Sequence, residues 1–493
     1  MLEQENTIAD IKAEIWMTVA KYAYEGTLEE KKDSIPEMLI PGPHAKFRCC
    51  IYREREIVKQ RVNMMFSKNW EGRTNVVNTI KAACEDCPIS RYTVTDNCRK
   101  CVMKACLMPA VSEQVSIGEE RSHIDPAKCK ECGMCAKACP YNAIADLIRP
   151  CKNSCPTGAI EMDENGLCVI DESKCINCGR CVKACPFGAI TTRSFIIDVI
   201  EEIKSGKEVY AMIAPSWEGQ YGPDITIASW KKAAKDLGFT DLYDVAVGGD
   251  LTASSEAKEW EEAFKDQRNM TTSCCPAFVN MIRKHYPKLS EYISTTVSPM
   301  CALSRMIKAQ HPGAITVFIG PCVAKKGETL DKTLEGNADY ALTLQEINAM
   351  MRAKEITIQP AENSVQEAST YGKRFGNSGG VTNAVVECMK EDDFDYSALK
   401  ICKANGAAEC KKALTLMQFG KLPEQFIEGM MCDGGCVGGP GSYREEMLSK
   451  KDRDTLIGQA DGRGVHENLG NFNTEQFSMS SKASAEEAVK PEK

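Results

Sequence analysis

Two stretches of this sequence carry the same cysteine spacing. Cys-Lys-Glu-Cys-Gly-Met-Cys-Ala-Lys-Ala-Cys-Pro begins at Cys129, and Cys-Ile-Asn-Cys-Gly-Arg-Cys-Val-Lys-Ala-Cys-Pro begins at Cys175. Three thiolates two residues apart wrap one 4Fe–4S cubane in a tight turn, and the Cys-Pro ending aims a fourth thiolate at a neighbouring cluster. On that logic Cys129, Cys132, Cys135 and Cys185 hold one cluster, and Cys175, Cys178, Cys181 and Cys139 hold another. Zinc prefers paired CxxC units and needs no third closely spaced thiolate. Each run leads into an Ala-Ile strand, AIADLI or AITTRS, so the two copies are expected to form one pseudo-symmetric module.

Other cysteines extend the pattern less cleanly. Cys84-x2-Cys87 and Cys98-x2-Cys101-x4-Cys106 precede the first complete run, and Cys151-x3-Cys155-Pro keeps the ending without three leading thiolates. At least one further 4Fe–4S cluster is expected from Cys84, Cys87, Cys98, Cys101 and Cys106, with room for another using Cys151 and Cys155. Cys49, Cys50 and Cys168 have no assigned role, and the five histidines show no metal spacing. Several clusters in series make an electron wire, so the chemistry belongs at one end of it.

Three segments of the C-terminal half combine cysteine with glycine or proline: Thr271–Phe278 (TTSCCPAF), Gly320–Glu328 (GPCVAKKGE) and Glu428–Gly439 (EGMMCDGGCVGG). The second directly follows an apolar run, the place where α/β sheets put ligand sites, at the carboxyl end of a strand. Glycines allow close backbone approach to a bulky inorganic group. These features predict a buried cluster held by four cysteines drawn from three loops.

In this order behind a ferredoxin-like region, the segments resemble the active-site signatures of the iron–iron hydrogenases over residues 81 to 475. IAPSWEGQYG from Ile213, GFTDLYDVAVGGDLT from Gly238, Ser298–Met300 and FGNSGGVTNAV from Phe375 strengthen the resemblance. It implies an H-cluster, a 4Fe–4S cubane joined through a cysteine sulfur to a di-iron unit carrying CO, cyanide and azadithiolate. By motif, Cys275, Cys322, Cys432 and Cys436 would bind the cubane, with Cys436 bridging to the di-iron unit. Cys274 would pass protons along a path through Glu256, Ser294 and Glu259. Lys325 would pair with one cyanide, Pro215 and Ser216 would lie near the other, and Met430 would pack on the di-iron unit. Phe278 stands where the family has tryptophan and Gly320 where it has methionine, and the third loop ends GGPGS, as in a divergent branch. Cys301, Cys388, Cys402 and Cys410 match no family ligand and are read as buried thiols.

The elements that must position these groups are legible in outline. Of the 27 cysteines, eighteen lie between Cys49 and Cys185 and nine between Cys274 and Cys436. Four parts are expected: a helical N-terminal segment (1–80), a ferredoxin-like iron–sulfur domain (81–192), an H-cluster catalytic domain (193–475) and a disordered tail (476–493). The catalytic part alternates apolar runs (Val209–Pro215, Ala314–Cys322) with amphipathic stretches such as SWKKAAKDLG and LQEINAMMRA. The fold class expected is an α/β catalytic region, two sheet-and-helix lobes around a buried cluster, behind an α+β ferredoxin-like domain.

A net charge of −8 over 493 residues argues against nucleic-acid or anionic-membrane partners. No run approaches the roughly 18 apolar residues of a membrane span, and the acidic N-terminus is unlike a signal peptide. A cytoplasmic setting is expected, where thiols are reduced and cysteine density means metal ligation rather than disulfides. The function expected is reversible conversion of protons and electrons to H2 in an anaerobic host, with ferredoxin as electron partner and maturation proteins supplying the di-iron unit. The rivals are a non-enzymatic iron–sulfur assembly factor of hydrogenase-like fold and a hydrogen sensor.

Overall fold

The computed structural model describes residues 7–482 apart from 49, 85, 86, 89, 108–112, 363–365 and 475. Two parallel sheets organise the C-terminal two-thirds. The first orders its strands Asp241–Asp244, Val209–Ile213, Ile315–Ile319 and Tyr340–Leu342, all parallel. The second orders Met270–Thr271, Phe426–Met430 and Ile401–Asn405, again parallel. Strands Val209–Ile213 and Phe426–Met430 are buried along their whole length, as expected for parallel sheets covered on both faces.

Helices close those faces. Ile227–Leu237 starts at a Thr226 capping box and stops at Gly238 in the left-handed region. Leu344–Ala353 starts at the Thr343–Glu346 box. The 21-residue helix Val245–Lys265 is capped by Asp244 and packs along Pro299–Gln310. That approach needs Gly248, because a Cβ there would collide with the Pro299 carbonyl oxygen. Both apolar runs read as strands are strands (209–213 and 315–319), and both amphipathic stretches are helices.

The N-terminal helices are part of the core of the first lobe. Helix Ile8–Glu25 buries Ile15, Val19, Ala20 and Ala23 among Trp230, Ile347 and Met350 of the first lobe. The chain then enters the iron–sulfur region through strand Val77–Thr79, which pairs antiparallel with Ile190–Thr192. At the other end, the tail expected to be disordered from 476 is ordered as far as 482. Val297 N–H donates to Met479 O at 2.8 Å, Thr296 pairs with Ser480, and Phe477 and Met479 pack against the second core. Two apolar side chains and an available strand edge hold this piece down; the rest of the expected tail lies outside the described residues.

The iron–sulfur region is nested. Strand Val77–Thr79 with Ile190–Thr192 and hairpin Ile160–Met162/Cys168–Ile170 form an outer module. Strand Tyr92–Val94 with Ile144–Asp146 and hairpin Val115–Ile117/Ser122–Ile124 form an inner one. The inner module is inserted into the outer, so the two complete cysteine runs belong to different modules. The single module expected from their repetition is thereby corrected.

Lys326 ties these layers together. Its fully buried ammonium contacts both Glu346 oxygens (2.6 and 2.8 Å) and the Arg193 carbonyl (2.6 Å) just beyond the iron–sulfur region. Removing one member of such a pair leaves a buried charge unpaired. Lys326→Met should lower unfolding stability by about 3–5 kcal/mol in denaturant titration, and a change below about 1 kcal/mol would contradict this role.

Candidate metal centre

Both sheets end at one place. Ile213 and Ile319 are paired in register, so Ala214-Pro215-Ser216 and Gly320-Pro321-Cys322 leave the first sheet side by side. On the second sheet Thr271 pairs with Ile427, and the same two strands run on into Cys274-Cys275 and Met431-Cys432. Between the lobes lies a cavity of about 80 Å3 lined by Pro215, Ser216, Cys274, Cys275, Cys322, Lys325, Met430 and Cys436. Its remaining wall is apolar, with Val245, Met300, Phe318 and Phe375.

Four thiols meet here. Burial, then Cys275 and Cys436, push the Cys322 thiol up to about 12. Cys432, outside the cavity lining, is raised by burial and by Cys322, Cys275 and Cys436. Cys436 is pushed up to about 11 by burial and Cys275, while buried Lys325 and Arg453 act in the opposite direction. Thiols crowded in this way stay protonated unless a cation takes them as thiolates. Four soft donors, a dry wall and the buried Ser216 Oγ, which has no hydrogen-bond partner, fit an iron–sulfur group with polar ligands.

Two of the three departures from the pattern, Gly320 and Phe278, sit in close packing. A Cβ on Gly320 would come within 2.8 Å of Ala214 Cβ and of the Phe318 ring, so Phe318 fills space that a side chain at 320 would occupy. Phe278 is fully buried and lies directly against Gly429 of the central strand.

Lys325 donates to Ser298 Oγ at 2.7 Å and pairs with Glu328 at 2.6 Å. Burial alone would lower its pKa, but Glu328 and the neighbouring thiols hold it above the ordinary value. The site therefore presents a fixed positive charge to the cavity.

Acidic and hydroxyl groups gather near Cys274, and Ser273, Ser294 and Thr296 line a second pocket together with Ser298 and Glu328, the partners of Lys325. Glu256 and Glu259 lie on helix Val245–Lys265. Ser273 donates to Glu256 Oε1 through N–H (3.2 Å) and Oγ (3.3 Å). Ser294 Oγ donates to Glu259 Oε2 at 2.8 Å and also lies close enough to Glu256 to lower its pKa. Burial, reinforced by the Glu259 charge, nevertheless lifts Glu256 to about 8. Cys274 is buried, and its thiol is raised by burial and by Glu256. Ser294 thus bridges Glu256 and Glu259, and Cys274, which lines the cavity, lies within electrostatic reach of Glu256.

The accessory thiols group differently from the expectation. Cys155, not Cys139, lies with Cys175, Cys178 and Cys181 and raises all three. Cys185, expected beside Cys129, lies instead with Cys84, Cys87 and Cys151. Cys84 and Cys87 are thus the leading thiols of the Cys151–Cys155 ending, separated from it by the inserted module. Cys178 in turn acts on Cys432, which brings this set beside the buried centre. Gly179, at φ 73°, fits against Pro440 and Val323, where a Cβ would come within 2.7 Å of Pro440. Arg180 pairs with Asp433 at 2.9 Å across the same junction.

Several contributors were missed in the sequence. Thr295 and Thr296 join Ser294 around Glu259, and Glu328 and Ser298 partner Lys325. Glu328 carried a signal, standing three residues after Lys325 on one helical turn. Cys168, left without a role, donates its N–H to Cys84 Sγ at 3.3 Å, and its thiol donates to Cys151, lowering that pKa. Among the described residues, Cys301, Cys388 and Cys410 are buried and Cys402 is half-buried. Cys49 lies outside the described residues.

Residues 207–440 match the family model for the iron-only hydrogenase large subunit, C-terminal domain. Residues 145–196 match the LdpA Fe-S cluster-binding domain and residues 122–145 a 4Fe-4S binding domain. The periplasmic Fe hydrogenase large subunit of Nitratidesulfovibrio vulgaris is 32% identical over 67% of this chain and 89% of its own length. Iron hydrogenase 1 of Clostridium pasteurianum is 28% identical over 71% of this chain and 72% of its own. A cytosolic Fe-S cluster assembly factor of Xenopus tropicalis is 23% identical over 44% of this chain and 57% of its own. A solved FeFe hydrogenase variant from Chlamydomonas reinhardtii is 22% identical, covering 53% of this chain and 87% of that one, with a TM-score of 0.44.

The raised pKa of Glu256 has a consequence for stability. A free glutamate titrates at about 4.3, so between there and pH 8 the folded chain keeps a proton that the unfolded chain has released. The stability this provides is complete below the unfolded pKa and is lost as pH rises through about 8. Glu256→Gln, which cannot ionise, should show a shallower fall in unfolding free energy over this range. Equal slopes in wild type and variant would mean that Glu256 is ionised when folded.

Proposed function

The chain belongs to the iron-only hydrogenase family, and from that membership we propose that it interconverts protons, electrons and H2 at a buried H-cluster. The observation that carries this reading is the meeting of Cys275, Cys322 and Cys436 with Lys325 and Cys274 at a single apolar cavity, with Cys432 beside these thiols. Cys275, Cys322, Cys432 and Cys436 would hold the cubane, and Pro215, Ser216, Lys325 and Met430 would surround the di-iron unit. The bound group supplies a low-potential metal on which protons and electrons combine.

The chain's own residues do the rest. The apolar wall excludes water, and Lys325, held by Ser298 and Glu328, offers its charge to an anionic ligand. Cys274 is the thiol that delivers or accepts the proton at the cavity. Glu256, protonated near neutral pH, exchanges with it, and the Ser294 hydroxyl links Glu256 to Glu259. Electrons would pass through the set of Cys155, Cys175, Cys178 and Cys181, beside Cys432, and onward through that of Cys84, Cys87, Cys151 and Cys185. A ferredoxin is the electron partner this wire suits, in the cytoplasm of an anaerobic host, with maturation proteins installing the di-iron unit. No described helix is long and apolar enough to cross a membrane.

The assembly-factor relatives define the competing reading, a structural cubane without a di-iron unit. Cys274 and Lys325 at the cavity favour the enzyme. Infrared spectra of anaerobically matured protein should show CO and cyanide stretching bands, and their absence would favour the assembly factor. Cys274→Ala should abolish nearly all H2 turnover while those bands persist, whereas full activity would remove the thiol from the proton path.

A further inference from the structure

The two iron–sulfur modules can be superposed by register, and the comparison exposes a missing ligand. In the outer module Ile160 pairs with Ile170, five residues before Cys175. In the inner module Val115 pairs with Ile124, five residues before Cys129. Ile160 therefore corresponds to Val115. Counting back nine residues matches Cys151 with Cys106, and counting back five matches Cys155 with Ala110.

Hydrogen bonding agrees with this correspondence. Cys168, seven residues before Cys175, contacts Cys84 and Cys151. Its counterpart Ser122, seven before Cys129, lies 4.0 Å from the Cys98 sulfur and 3.9 Å from that of Cys106. Ile144 and Ile190, five residues after Cys139 and Cys185, occupy matching strand positions opposite Val94 and Thr79. Cys98, Cys101, Cys106 and Cys139 thus reproduce the complete set of Cys84, Cys87, Cys151 and Cys185.

What remains is Cys129, Cys132 and Cys135, the counterparts of Cys175, Cys178 and Cys181. The outer trio has Cys155 beside it, whereas counting along the sequence puts alanine at the corresponding position, which lies outside the described residues. Cys132 is exposed, so this site opens to solvent. We propose that Cys129, Cys132 and Cys135 hold a cubane in which one iron has no cysteine ligand and takes water, hydroxide or a small thiol from solution. Such an iron is labile. When one electron is removed from the 4Fe–4S cluster, its 3+ core splits into a 1+ 3Fe–4S core and one Fe2+, balancing charge and iron.

This inference rests on the reading of the accessory thiols as cluster ligands. The test uses anaerobically prepared full-length protein titrated with ferricyanide as one-electron oxidant, followed by electron paramagnetic resonance and iron release. Wild type should develop a three-iron signal of about one spin per chain and release about one iron. Cys132→Ala should lose that signal while the dithionite-reduced variant keeps 4Fe–4S signals from the other sets. A wild type with strong reduced 4Fe–4S signals but no three-iron signal or iron release would overturn the inference alone. So would a three-iron signal that persists in Cys132→Ala. Absence of every reduced 4Fe–4S signal would overturn the accessory-cluster reading as well.

Discussion

The structure depends on parallel strands from two separate sheets terminating toward one buried point. Each strand end supplies a short loop, and each loop carries a thiol or cavity-lining residue. Parallel strands buried on both faces keep their register rigidly, so the pairing of Ile213 with Ile319 and of Thr271 with Ile427 determines where the loops begin. Positions tied to buried strand ends are better defined than positions on free loops, as a centre assembled from distant segments requires.

Around that point, charged and neutral groups are held by different means. Lys325 and Arg453 set positive potential against Cys436, and both are buried and held by protein partners. Cys274 and Glu256 are neutral near pH 7 because burial disfavours their charged forms. The centre thus combines buried cations with groups that hold exchangeable protons. The hydroxyls of Ser294, Thr295 and Thr296 keep Glu259 hydrogen-bonded.

The accessory region follows a different logic. Its helices and strands are short, and its apolar clusters contain the cysteines themselves. A fold with so little conventional core takes much of its stability from metal ligation. Its junction with the two lobes is compact where Gly179 meets Pro440 and Arg180 meets Asp433. The GGPGS ending that departs from the family pattern supplies this proline, so that departure has a structural part at the interface.

Much of this was legible in the residues alone. The strand and helix order of the catalytic part follows from apolar runs and capping signals, which are local. The family follows from short motifs, and the resemblance in turn singles out the four centre thiols. The separate partners of Cys185 and of Cys155 were not legible, because they depend on which half-modules pair in space. Sequence repetition suggested that neighbouring runs pair, whereas insertion of one module within the other made distant runs partners. The Glu256 pKa, the partners of Lys325 and the role of Cys168 were likewise decided by tertiary structure. Each depends on burial and on contacts between residues far apart along the chain, and spacing within a motif encodes neither.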